Sequence, residues 1–136
     1  MNLSSNIRPE VSYRPKDRSL VMVVEDEVII RLMLAQTLRD AGYNVIETSN
    51  ADEALIVFEA TLPDIIVTDV HMPGSVDGMG LCSTVHTIYP KLPVIIVSAY
   101  PNSNTAEIDP YTKFLPKPYS VVHLVEVIQT QLSTST

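Results

Sequence analysis

Residues 64–78 read Asp-Ile-Ile-Val-Thr-Asp-Val-His-Met-Pro-Gly-Ser-Val-Asp-Gly. Ile65, Ile66 and Val67 are apolar and β-branched, the composition of a strand buried on both faces, and the run stops at an acid, Asp69. Met72-Pro73-Gly74 and Asp77-Gly78 are turn chemistry, so the chain leaves the sheet just after Asp69 and stays irregular for several residues. Asp69 is therefore expected at the carboxyl end of a central strand. In open parallel α/β sheets ligands bind at that rim, which makes Asp69 a candidate site residue. The plain alternative is an aspartate that only starts a loop.

The flanking sequence repeats the pattern. Ser19-Leu20-Val21-Met22-Val23-Val24 reads as a buried strand ending in Glu25-Asp26-Glu27. A helix follows, with Ile30, Leu34, Leu38 and Ala41 at helical spacing and Gly42 as its left-handed stop, before a short strand over residues 44–47. Asn50 and Glu53 form a capping box, and the helix they open puts Ala51, Ala54, Leu55 and Phe58 on one face. A helix is expected from about residue 80 to residue 89, and Val94-Ile95-Ile96-Val97 is a further buried strand that stops at Ser98.

Between Pro101 and Pro110 there is room for about two helical turns, which predicts a short or mobile fourth helix. Lys113-Phe114-Leu115-Pro116 is expected at a sheet edge, because Pro116 has no donor for a central ladder. Ser120 caps a last helix with Val121, Leu124, Val125, Ile128 and Leu132 as its apolar stripe, and residues 133–136 are expected to fray. Strands alternating with helices predict a three-layer α/β/α sandwich on a parallel sheet, formed by residues 19–132. Residues 1–18, with mixed charges and no apolar period, read as a disordered arm.

A chain of 136 residues is one domain with room for a real core. Its single cysteine, Cys82, allows no intramolecular disulfide and reads best as a small buried hydrophobe. No secretory leader and no membrane-length apolar run are legible, which predicts a cytoplasmic protein without membrane contact. The net charge is −7, and because residues 1–18 are net positive the remainder is more acidic still. Such a surface repels nucleic acid. His71, His86 and His123 lack close ligand spacing, which argues against zinc.

The β-α repeat brings the strand ends Glu25-Asp26, Asp69 and Ser98 to one rim, with Lys117 just past the edge strand. Clustered carboxylates repel one another, and a hard divalent cation with oxygen ligands, Mg²⁺, relieves the conflict. Lys117 offers a point charge and Ser98 a hydroxyl to the oxygens of a transferred phosphoryl group, with Asp69 as the nucleophile that becomes an acyl phosphate. Singly, each residue has an ordinary explanation: the acids favour a helix N-terminus, Ser98 is a cap, Lys117 is a solvated lysine. Those explanations do not account for their convergence.

Taken in order, Glu25-Asp26, Asp69 with Met72-Pro73 and Asp77-Gly78, Ser98-Ala99, and Lys117-Pro118-Tyr119 resemble the response-regulator receiver domain of two-component signalling. The resemblance implies a CheY-like, stand-alone regulator of flavodoxin-like fold with sheet order 2-1-3-4-5. It implies phosphoryl transfer to Asp69 from a sensor histidine kinase or a histidine phosphotransfer protein. Asp26, Asp69 and the backbone carbonyl of His71 would hold Mg²⁺, with Glu25 acting through water, and the Lys117–Pro118 bond would be cis. Ser98 and Phe114 would be the switch pair, His71 and Tyr100 would set the lifetime of the aspartyl phosphate, and Arg31 and Met33 would sit where the kinase docks. An unknown protein would receive the signal. The stretch between Ser98 and Lys117 is shorter than usual for the family and lacks its usual Gly-Ala turn, which puts the ordinary output surface in doubt.

Three other readings stay open. An aspartate-nucleophile phosphohydrolase would need a second aspartate two residues on, where this chain has His71. A nucleotide or flavin binder would need a phosphate loop after the first strand, where Glu25-Asp26-Glu27 repels phosphate. A phosphorylation-independent interaction module is the remaining reading.

Overall fold

A computed structural model describes residues 19–99 and 109–135. The elements run β1 (Leu20–Val24), α1 (Val28–Asp40), β2 (Asn44–Thr48), α2 (Ala51–Ala60), β3 (Ile65–Asp69), α3 (Gly78–Ile88), β4 (Val94–Ser98), β5 (Thr112–Pro116) and α4 (Val121–Ser135). All strand pairings are parallel, in the order β2-β1-β3-β4-β5. This is the expected flavodoxin-like sheet, with β5 at an edge where Pro116 costs no ladder bond. The expected arm over residues 1–18 lies outside the described residues. So do Tyr100 and the expected fourth helix, apart from a turn at residues 109–111.

The β-branched runs form strands buried on both sides because successive side chains point to opposite faces. On one face Val21, Val23, Ile65, Val67, Ile95, Val97 and Leu115 pack under α1 and α4. On the other, Met22, Val24, Ile66, Val94 and Ile96 pack under α2 and α3. A one-residue slip of any central strand would exchange its two faces, so the helices on both sides lock the register. Ile95 and Ile96 are fully buried, and truncating either to alanine would cost about 2–5 kcal/mol. Rigid central strands are what hold their carboxyl ends in fixed relative positions.

Local signals explain most element ends. Gly42 ends α1 with φ 102°, and its N–H donates to Arg39 O at 3.0 Å. Asn50 Oδ1 accepts from Glu53 N at 2.8 Å, while Glu53 Oε1 reaches back to Ser49 N at 2.6 Å and Ser49 Oγ at 2.9 Å. Three expectations are corrected. α3 begins at Gly78 rather than near residue 80, because Asp77 Oδ1 caps it by accepting from Gly80 N at 2.9 Å. The α1 stripe is Leu34, Ala35 and Leu38, whereas Ile30, in the first turn of the helix, is 38% exposed. α4 continues to Ser135 instead of fraying at residue 133, with Ser133 Oγ donating to Gln129 O and Thr134 Oγ1 to Thr130 O, each at 3.0 Å. No helix among the described residues is long and apolar enough to cross a membrane.

Candidate functional site

Four of the expected site residues sit at or just beyond strand ends on the carboxyl rim. Asp69 ends β3 and pairs in register with Val97, one residue before Ser98 ends β4. Ser98 in turn pairs with Pro116 at the end of β5, and Lys117 N donates to Ser98 O at 2.8 Å. Glu25 follows β1, its N–H donating to Thr48 O at 3.0 Å on β2. The topology has thus converted large sequence separations into neighbouring strand ends.

Lys117 Nζ donates to Asp69 Oδ2 at 2.9 Å, and the Asp69 side chain is only 10% exposed. Glu25, Asp26 and Asp69 each present a carboxylate oxygen, all within 4.8 Å of one another. Burial pushes the Glu25 carboxyl above its ordinary pKa, opposed by a hydrogen bond from Glu27 N at 3.0 Å, and the charge of Asp69 pushes it further up. Burial pulls the Lys117 ammonium down, but the hydrogen bond and charge of Asp69, with Glu25 beside it, win and raise it. Burial raises the Tyr119 phenol pKa, and the charge of Glu25 adds to that rise. Among the described residues, Lys117 is thus the cation bonded to these carboxylates, which outnumber it. Three hard oxygen donors this close suit a small divalent ion with metal–oxygen bonds of about 2.1 Å that keeps some of its waters.

The other expected residues stand as follows. The Lys117–Pro118 peptide is cis. Ser98 is buried, and Phe114 is partly buried against the core beneath α2 and α3. His71 is exposed in the loop after β3. Asp52 of α2 supports that loop, Oδ1 accepting from Ser75 Oγ at 3.0 Å. Gly74, at φ 115°, leaves space that a β-carbon would contest with the Asp52 carboxylate.

Two features went unread in the sequence. Gly78 looked like turn chemistry, yet it is buried in the first turn of α3, where a β-carbon would run into the Asp69 carbonyl. Arg31, expected at the docking surface, instead turns inward, with Nη1 donating to Glu25 O at 2.9 Å and Nε 3.6 Å from Glu47 Oε1. Its position one turn after an acidic run was the available signal. Met33 does stand 65% exposed, beside Ile29 and Leu32 on the outer side of α1.

Comparison with known proteins agrees with this geometry. Over 120 residues the chain is 32% identical to the DNA-binding transcriptional regulator NtrC of Salmonella typhimurium, a match that takes in 85% of this chain and 25% of that protein. The chain thus spans about a quarter of the length of such curated relatives. The crystal structure of the receiver domain from the hybrid histidine kinase CckA superposes with a TM-score of 0.71 at 35% identity, covering 83% of this chain and 98% of that one. NtrX from Brucella abortus, crystallised with ATP, gives a TM-score of 0.77 at 32% identity, covering 86% of this chain and 27% of that one. The model of the response regulator receiver domain matches residues 21–129, and the chain belongs to that family of two-component signalling proteins.

Proposed function

We propose that this chain accepts a phosphoryl group on Asp69 from a phosphohistidine of a sensor histidine kinase or histidine phosphotransfer protein, in a Mg²⁺-dependent reaction. The observation that carries the reading is the Lys117–Asp69 contact of 2.9 Å beside a cluster of acids whose oxygens lie within 4.8 Å. An Asp69 carboxylate oxygen attacks phosphorus, the phosphorus–nitrogen bond breaks, and its electron pair returns to the imidazole nitrogen of the donor. Lys117, already bonded to one Asp69 oxygen, orients the carboxylate before the reaction and can follow the phosphoryl oxygens after it. Ser98, which ends the neighbouring strand β4, would offer its hydroxyl to the same group.

Asp26, Asp69 and the carbonyl of His71 are the proposed Mg²⁺ ligands, with Glu25 acting through water. When bound, the ion offsets the negative charge that a dianionic phosphoryl group brings to the carboxylates. The product on Asp69 alters the charge that Lys117 and Ser98 face, and the signal leaves through a protein–protein surface switched with Ser98 and Phe114. His71 and Tyr100 are proposed to set the lifetime of the acyl phosphate by obstructing water. The chain is a phosphoacceptor rather than a turnover enzyme, and its signal acts in the cytoplasm on an unknown protein target.

Intact mass after incubation with Mg²⁺ and acetyl phosphate is the direct test. One phosphoryl adduct is expected in wild type and none in Asp69→Asn or without Mg²⁺. Absence of an adduct in wild type, with acetyl phosphate and again with a phosphorylated kinase, would refute the reading and favour a phosphorylation-independent interaction module.

A further inference from the structure

Resting on the proposed Mg²⁺ site, we infer that Arg31 is a positioning residue that holds the backbone of the Glu25-Asp26 loop in metal-binding geometry. Glu25, Asp26 and Glu27 are consecutive acids, and like charges on one short loop tend to splay it apart. Hydrogen bonds to both backbone groups of Glu25 oppose that. Glu25 N donates to Thr48 O at 3.0 Å, and Glu25 O accepts from Arg31 Nη1 at 2.9 Å. The first anchor continues the β1–β2 ladder, whereas the second is a charged side chain reaching back from α1.

The guanidinium takes the carbonyl of the loop and leaves the carboxylates to the ion. Its own charge is balanced on the far side, where Nε lies 3.6 Å from Glu47 Oε1 on β2. Glu47 is fixed in turn by Arg39, whose Nη1 is 3.0 Å from Glu47 Oε2 and whose Nη2 donates to Val45 O at 3.3 Å. Arg31 and Glu47 side chains are 17% and 22% exposed, so this chain of contacts is partly shielded from competing water. Arginine suits the place because a planar fork can engage a carbonyl and a carboxylate together, which a lysine ammonium on a flexible stem does poorly. Supporting partners of metal ligands act in this way, by fixing ligand orientation without touching the ion.

The test is calorimetric titration of the metal-free full chain with Mg²⁺, with thermal midpoints recorded beside it. Arg31→Lys, which keeps the charge, and Arg31→Gln, which removes it, should each weaken Mg²⁺ binding by about tenfold. Glu47→Gln should weaken it in the same direction, and the Arg31→Gln/Glu47→Gln double variant should bind no more weakly than Arg31→Gln alone, because Glu47 acts through Arg31. A role in folding alone would lower the thermal midpoint and leave the affinity of the folded molecules unchanged, which would overturn the inference. Arg31→Lys binding like wild type while Arg31→Gln binds more tightly would also overturn it, since Arg31 would then be only a repelling charge. If the Arg31 variants fail to fold, Glu47→Gln decides by itself: unchanged affinity refutes the role. Failure of the metal site itself would show in the wild-type titration, before any variant is compared.

Discussion

Lys117 Nζ stands 2.9 Å from Asp69 Oδ2 although β4 separates β3, which ends at Asp69, from β5, which Lys117 follows. Strands two places apart in a sheet are roughly 10 Å apart, so the lysine side chain must lie across the end of β4 to make the contact. The bond from Lys117 N to Ser98 O, at 2.8 Å, fixes where that reach begins. Lys117→Met should slow formation of the Asp69 adduct by on the order of a hundredfold, the loss expected when a preorganised charged donor is removed. Mass spectrometry over time checks this. The same variant should gain more thermal stability from Mg²⁺ than wild type does, because the acids have lost their lysine.

Gly78→Ala should damage the site through the backbone rather than through any functional group. A methyl there is driven against the carbonyl of Asp69, and Gly78 N already donates to Val70 O at 2.9 Å, so neither side has room to yield. Overpacking of this kind costs about 1–3 kcal/mol. Chemical denaturation should show the loss, and Mg²⁺ affinity should fall with it. Gly80→Ala is the gentler control, since its β-carbon would meet the Val76 side chain instead of backbone.

The capping box of α2 gives a pH-dependent prediction. Hydrogen bonds from Ser49 N and then Ser49 Oγ pull the Glu53 carboxyl below its ordinary 4.5. A carboxyl with a depressed folded pKa contributes stability above its unfolded pKa and loses it as pH falls through the folded value. Wild type should therefore be more stable than Glu53→Gln at neutral pH, and the difference should shrink below pH 4.5 and vanish at stronger acidity. Asn50→Ala, which removes the other half of the box, should cost about 1 kcal/mol with little pH dependence. Urea denaturation at a series of pH values separates the two.

Cys82 should be slow toward thiol reagents in the folded protein. It is 7% exposed, and burial pushes its thiol pKa up, opposed in part by the contact with Thr112 and helped by the smaller effect of the Asp109 charge. The thiolate is the reactive form, so modification by a disulfide reagent should run about a hundredfold or more slower than in the unfolded chain. A rate equal to that of the unfolded chain would mean that α3 opens readily from the sheet.

Much of the architecture was legible because it is written in local terms. The runs 20–24, 65–67 and 94–97 read as buried strands because they are short and rich in β-branched residues, and Gly42, Asn50 and Glu53 mark helix ends by chemistry that acts over a few residues. Pro116 correctly announced an edge strand, since its missing donor can be tolerated only there. Ile30 misled because helical periodicity shows that a residue lies on a stripe without showing how far the stripe extends over the sheet. Asp77 was read as part of a turn when it was also a cap, since a capping aspartate and a turn aspartate look alike in sequence.

Sequence alone determined that Asp69 ends a buried strand, that acids follow the first strand, and that Lys117 follows an edge strand. Each of these rests on the period of a strand and the chemistry of the residue that stops it. Only the tertiary structure decided that Lys117 meets Asp69, that Gly78 must lack a side chain to spare the Asp69 carbonyl, and that Arg31 turns inward onto Glu25 and Glu47. The physical reason is that strand order and register set which distant residues become neighbours, and they depend on packing of both sheet faces at once.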